Sequence, residues 1–258
     1  MQVVILCGGR GTRLGAESEI QPKPMVQIGE RPILWHIMKY YAHFGHADFV
    51  LCLGYKGEMI KEYFLNYEAM SNDVTVELGQ RSRLKFHSCH SEQDWRVTLA
   101  DTGADSLTGT RLKKIEKYIE GDTFLATYGD GVSTVDLDQL IAFHRNHGKI
   151  ATVTAVHPPA RFGEMIFQDG RVTEFSEKPQ TSAGLINGGF FVFNRQLFAY
   201  LPENENITFE HVPMVRLTND GQFMAYEHDG FWQCMDTVRE VNILRELWDS
   251  GKAPWKAW

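Results

Sequence analysis

The residue types that polyphosphate chemistry needs stand at four places in this chain. The first is the run Leu6-Cys7-Gly8-Gly9-Arg10-Gly11-Thr12-Arg13-Leu14, which continues the apolar stretch Gln2-Val3-Val4-Ile5-Leu6. A buried strand that opens into a glycine-rich turn leaves backbone N–H groups aimed at a common centre. Glycine also lets the backbone approach an anion closely. The second place is Gln21-Pro22-Lys23-Pro24-Met25. Proline on either side stiffens the backbone that carries Lys23, so its ammonium is presented from a fixed stem. With Arg13 and Lys23 supplying mobile positive charge, the two segments read as a polyphosphate cradle. The glycines alone would equally suit an ordinary loop beside two surface cations.

The third place is Asp130, set between Gly129 and Gly131 after the apolar run Phe124-Leu125-Ala126-Thr127-Tyr128. Ligands of open α/β sheets bind beyond the carboxyl ends of the strands. A hard oxygen donor there suits Mg²⁺, which takes one or two carboxylates together with phosphate oxygens. A tight turn would use the same three residues. The fourth place is Asp236, in Met235-Asp236-Thr237 at the start of an amphipathic stretch. It reads either as a helix N-cap or as a second metal carboxylate. Glu177-Lys178-Pro179 follows a predicted strand. There Lys178 could bind a further anionic group and Glu177 could accept hydrogen bonds from sugar hydroxyls, or the two form an exposed strand-end pair. His87, Cys89 and His90 are close in sequence, but a strand alternates its faces and no matching ligands stand nearby. His36 and His211 read as packing or surface residues.

These groups need a scaffold, and the hydrophobic pattern supplies one. Pro32 to Phe44 is a helix with Ile33, Leu34, Ile37, Met38 and Tyr41 on one face, stopped by Gly45. Phe49–Leu53 is a second buried strand, followed by a helix facing inward through Met59, Ile60, Tyr63, Phe64 and Tyr67. Strand and helix in alternation predict an α/β fold with a parallel sheet covered on both faces. Val74–Leu78, Arg83–His87 and Arg96–Ala100 read as an excursion of short strands beside that sheet. A polar loop from Asp101 to Gly109 leads into a helix facing in through Leu112, Ile115, Tyr118 and Ile119. Helices are also predicted over Leu137–His147, from a cap at Thr208 to Asn219, and from Asp236-Thr237 onward. Asp169-Gly170 marks a hairpin between Met165–Phe167 and Arg171–Phe175. A strand begins with glycines in Asn187-Gly188-Gly189-Phe190-Phe191-Val192-Phe193. With no repeat or linker, residues 1–258 read as a single domain with a small excursion near 74–100.

Length and charge agree with that picture. The 258 residues suffice for one large α/β domain, and the net charge of −7 disfavours nucleic acid as a partner. Arg10, Arg13 and Lys23 still concentrate positive charge locally. The cysteines Cys7, Cys52, Cys89 and Cys234 are scattered without a C-x-x-C, which points to a reducing cytoplasm. No secretory signal is apparent at the start. No apolar run approaches the ~20 residues that span a bilayer, so no membrane association is expected.

Two familiar phosphate motifs are excluded. The dinucleotide fingerprint needs a third glycine where Leu14 stands, and Lys23 is far from any Gly-Lys-Ser/Thr triplet. What remains, G-G-x-G-T-R-L followed by P-K-P, resembles the sugar-phosphate nucleotidyltransferases. Within them the likeness is closest to the glucose-1-phosphate cytidylyltransferases and runs over nearly the whole chain. It is carried by Arg31–Lys39, Gly54-Tyr55-Lys56-Gly57, Val97–Gly103, Thr108–Leu112 and Tyr128–Gly131. Further on it is carried by Arg161-Phe162-Gly163, Ile186–Val192, Met235-Asp236-Thr237 and Gly251–Lys256.

The resemblance implies a Rossmann-like nucleotidyltransferase fold with a mixed, mostly parallel sheet. It implies an Mg²⁺-dependent reaction of CTP with α-D-glucose 1-phosphate, giving CDP-glucose and pyrophosphate for dideoxysugars of surface polysaccharide. It also implies a homo-oligomer. By motif, Leu6 to Arg13 and Lys23 would hold nucleotide and phosphates. Ser106 and Arg111 would flank the nucleotide, with Gly129 packed against it. Asp130 and Asp236 would bind the metal. Lys178 would face the sugar phosphate, with Glu177 and Asn187 near the glucose. Arg13, Lys23 and Lys178 are the groups implied for catalysis. Cys7 stands where alanine is usual, Arg10 where an apolar residue is usual, and Gln21 where lysine is usual. The rival readings are the same reaction with UTP or dTTP, and a non-catalytic nucleotide-sugar-binding subunit.

Overall fold

The runs rich in Val, Ile, Leu and Phe become the strands of one eight-stranded sheet. The computed structural model describes the chain apart from residues 12–13, 16–19, 79–82, 160–163, 169–170 and 177–183. The sheet strands are β1 (Gln2–Leu6), β2 (Asp48–Leu53), β3 (Arg96–Asp101), β4 (Thr123–Tyr128), β5 (Ala151–Val156), β6 (Ile186–Asn187), β7 (Phe191–Asn194) and β8 (Phe223–His228). β3, β2, β1 and β4 lie side by side in parallel. Beyond β4 the direction reverses: β7 pairs antiparallel with β4 and β5, while β8 pairs parallel with β5. β6 and β7 follow one another along the same side of β5, separated by Gly188-Gly189-Phe190. A Cβ on Gly188 would come within 2.7 Å of Val156, which accounts for glycine there.

Strand alternation sorts the side chains into two cores. Val3, Ile5, Phe49, Leu51 and Leu125 fall in one, with Ile33, Ile37, Leu140, Val241 and Leu244 from helices Ile33–His43, Leu137–His147 and Val238–Asp249. Val4, Val50, Cys52, Phe124 and Ala126 fall in the other, with Leu112 and Leu217 from helices Thr108–Lys114 and Val212–Asn219. A period of two in the strands thus covers the sheet on both faces. Trp255, near the end of the chain, is fully buried in the first core. No described helix is long and apolar enough to cross a membrane.

Four local expectations change. Arg96–Asp101 is no part of an excursion but an edge strand of the central sheet, in register with β2 from Asp48↔Arg96 to Leu53↔Asp101. One flank lacks a neighbour, so its side chains are largely half-exposed and its pattern resembles a free ribbon. The excursion itself is the two-stranded ribbon of Val74–Val76 and Leu84–Phe86. Tyr118 faces outward, because the chain tightens to a 3₁₀ turn at Glu116–Tyr118 and shifts the helical phase. The helix assigned to Thr208 starts at Val212, where Pro213 presets the first turn. The hairpin strands pair as Glu164–Gln168 with Arg171–Ser176. Its Asp169-Gly170 turn lies outside the described residues.

Candidate active site

The carboxyl ends of β1 to β4 share one edge, and the segments after β1, β3 and β4, with Lys23 and Asp236, line a cavity of about 370 Å³. Its placement follows from register. Leu6 sits beside both Cys52 and Tyr128, so the loops after those strands emerge together. Cys7 N–H continues the ladder to Cys52 O at 3.1 Å, and Gly129 N–H bonds Leu6 O at 3.1 Å. A Cβ on Gly129 would meet Leu6 O at 3.0 Å and the Pro24 ring at 3.1 Å, so the wall there admits little more than glycine.

Asp130 and Asp236 come together through backbone pairing. Gly131–Ser133 and Trp232–Cys234 form a short antiparallel ribbon in which Cys234 faces Gly131, and Met235 N–H bonds Asp130 O at 2.9 Å. The step from strand to helix then leaves Asp236 beside Asp130. The cap of helix Val238–Asp249 is Thr237, in a capping box with Glu240. Sequence alone could give the cap to Asp236; the structure gives it to the next residue and turns the Asp236 carboxylate toward Lys23.

Lys23 begins a 3₁₀ turn between two prolines and donates to both carboxylates, to Asp130 Oδ2 and to Asp236 Oδ1 at 2.6 Å. Burial opposes its charge, but the carboxylates outweigh burial and hold its pKa above the ordinary lysine value.

Arg111 also lines the cavity and is buried, at 3% exposure. Its Nη1 donates to Leu53 O at 2.9 Å, Thr102 Oγ1 at 2.7 Å and Gly103 O at 2.9 Å. Its Nη2 donates to Gly8 O at 2.9 Å and Ala104 O at 3.2 Å. The guanidinium lies flat against Gly8, where a Cβ would come within 2.1 Å of it. Burial lowers its pKa, against the raising influence of nearby Cys52 and Cys7.

Residues 2–235 match the model of the nucleotidyl transferase family. The chain belongs to that family. It is 50% identical, over all of both chains, to the glucose-1-phosphate cytidylyltransferase of Salmonella typhi. It is 43% identical, again over both full lengths, to the probable glucose-1-phosphate cytidylyltransferase of Bacillus subtilis. The crystal structure of HddC from Yersinia pseudotuberculosis shares the fold, with a TM-score of 0.68 at 24% identity, covering 96% of this chain and 99% of that one.

Within this nucleotidyl transferase site the residues singled out in the sequence meet unequally. Leu6, Cys7, Gly8, Gly9 and Gly11 line one wall, with Gly129 against them. Lys23, Asp130 and Asp236 line it as well. Ser106 also reaches the cavity, with its hydroxyl donating to Thr102 O at 2.5 Å. Arg10 is drawn to Asp105 at 2.6 Å on an exposed surface, so the charge expected beside the phosphates is committed to the Asp101–Leu107 loop. Asn187 donates to Tyr128 Oη at 3.0 Å. Thr12, Arg13, Glu177 and Lys178 lie outside the described residues, as does the Arg161-Phe162-Gly163 segment.

Cys7 and Cys52 are buried thiols, and burial pushes the pKa of both well up, Cys52 to about 12. His87 bonds Thr75 and His90 bonds Glu68. Sequence reasoning missed Tyr128, Thr108 and Glu210. Glu210 bonds partners 82 and 102 residues away, a separation that leaves no local signal.

Proposed function

We propose that this chain transfers the cytidylyl group of CTP to α-D-glucose 1-phosphate, giving CDP-glucose and pyrophosphate. The observation that carries the reading is full-length identity at the 50% level with a cytidylyltransferase, joined to a cavity that keeps the loop, Lys23 and both carboxylates. A phosphate oxygen of glucose 1-phosphate attacks the α-phosphorus of CTP, the bond to the β-phosphate breaks, and pyrophosphate leaves. No protein nucleophile is needed; the site must position the substrates and offset charge on the phosphoryl oxygens.

Asp130 and Asp236 fit Mg²⁺, because two hard oxygen donors already converge on one cation, the Lys23 ammonium. The ion would supply charge neutralisation on the phosphate oxygens. Backbone of Gly8 to Gly11 would approach the phosphates, with Arg13 and Lys23 adding positive charge. Ser106 and Gly129 would bound the nucleotide. Lys178, Glu177 and Asn187 would serve the sugar phosphate. Arg111 would act on the nucleotide through the loops it holds.

In this reading one domain of 1–258 does the work, as a cytoplasmic homo-oligomer whose product feeds dideoxysugars of surface polysaccharide, the O-antigen among them. The test is pyrophosphate release with glucose 1-phosphate and CTP, UTP or dTTP in turn. CTP is preferred, since a site bonded to one base edge leaves groups unpaired against another. Equal turnover with UTP at subsaturating concentration contradicts the base assignment.

A further inference from the structure

Beside the cavity runs a chain of hydrogen bonds with a fixed direction. Asn187 Oδ1 accepts from Gly189 N–H at 2.9 Å, which sets the amide so that its Nδ2 donates to Tyr128 Oη at 3.0 Å. Tyr128 Oη donates to Glu210 Oε1 at 2.6 Å. The other carboxylate oxygen, Oε2, accepts from Thr108 Oγ1 at 2.6 Å, and Thr108 Oγ1 accepts from Phe209 N–H at 2.8 Å. Each member is therefore oriented by the next, and Glu210 is the acceptor on which both arms end.

The two arms belong to different parts of the site. Tyr128 closes β4, lines the cavity two residues before Asp130 and packs edge-on against Phe191. Thr108 also lines the cavity and opens the helix that carries Arg111.

We propose that Glu210 is a positioning residue for the sugar phosphate: it fixes the Tyr128 hydroxyl that, together with the Gly189 N–H, holds Asn187 in the orientation that receives the hexose. This rests on the function proposed above, in which Asn187 stands at the sugar end. Glu210 itself is not among the residues that line the cavity. Its effect is exerted through an acceptor that a carboxylate supplies twice, once to each arm. Removing it frees the phenol to rotate and leaves the Asn187 amide without an oriented partner. The loss falls on recognition of the sugar phosphate more than on the nucleotide.

The experiment compares Glu210→Ala, Tyr128→Phe, the double variant and Glu210→Gln. It uses whichever nucleoside triphosphate the parent turns over, so an error in the base assignment shows in the parent and leaves this comparison intact. Steady-state KM for glucose 1-phosphate and for the nucleotide are measured separately, with galactose 1-phosphate as a competing substrate. Glu210→Ala and Tyr128→Phe each raise KM for glucose 1-phosphate about tenfold, the loss of one hydrogen bond to a charged group. Both leave the nucleotide KM within about twofold and narrow the preference for glucose over galactose. The double variant is no worse than the weaker single variant, because both break one chain. Glu210→Gln keeps an acceptor for Tyr128 and restores most of the sugar KM. Equal rises in both KM values, or additive losses in the double variant, overturn the proposal.

Discussion

Two cations line the same cavity, and their surroundings differ in kind. Around Arg111 the partners are backbone carbonyls from the end of β2 and from the loops after β1 and β3, with one threonine hydroxyl. Around Lys23 they are two carboxylates. Burial works against both charges, but it prevails at Arg111 and is outweighed at Lys23, so their pKa values move in opposite directions. Carbonyl dipoles satisfy a guanidinium geometrically without neutralising it. Carboxylates neutralise an ammonium and, relieved of it, present anionic oxygens to another cation. Arg111 therefore holds loops in register, and in the proposed function the carboxylates beside Lys23 take a metal cation.

The sharpest way to break that contrast is to remove anionic charge while keeping shape. Asp236→Asn and Asp130→Asn are each expected to lower Mg²⁺-dependent turnover by about 10³-fold, the upper range for losing a preorganised charge stabiliser. Thermal melting should stay near that of the parent, because Thr237, not Asp236, caps the helix. Initial rates over a Mg²⁺ titration, set beside melting curves, decide it; a parental rate for Asp236→Asn would make the carboxylate pair irrelevant to the ion.

Lys23→Ala comes next, with kcat lower by about 10²-fold and the fold intact. An unchanged kcat would move Lys23 out of the chemistry.

Arg111→Lys should show the opposite balance. An ammonium cannot reproduce the planar fork, and buried carbonyls left without donors cost stability, here about 2 kcal/mol. Chemical denaturation measures it. If stability is parental and only the nucleotide KM rises, Arg111 reads the ligand directly and the contrast with Lys23 fails.

Cys7→Ala carries the smallest effect, about 1 kcal/mol of stability for one lost buried atom and turnover within about twofold of the parent. The buried thiol has a pKa pushed far up, so it holds little thiolate to do chemistry. Complete loss of activity in a folded Cys7→Ala protein would argue for a thiol mechanism.

What sequence made legible was local and periodic. Val3 to Leu6 and Phe49 to Leu53 declared buried parallel strands because both faces of such a strand are apolar. The helix stop at Gly45 was legible because glycine readily takes the left-handed conformation that follows a helix, here with φ of 78°. The glycine loop, Lys23 between prolines, and an aspartate at a strand end were legible as types suited to phosphate and metal.

Tertiary structure decided which of these groups meet. Arg96–Asp101 joined the sheet through pairing with a strand 48 residues earlier. Arg10 found Asp105 instead of the cavity, through a contact 95 residues apart. Asp236 reached Asp130 because Cys234 pairs with Gly131 in a ribbon whose register no local pattern announces. Glu210 gained its role from Tyr128 and Thr108, both far away in the chain. Sequence spacing fixes side-chain direction within one helix or strand, where backbone hydrogen bonds set the period. Contacts between elements depend on register and on how the cores pack, and those are properties of the folded chain as a whole.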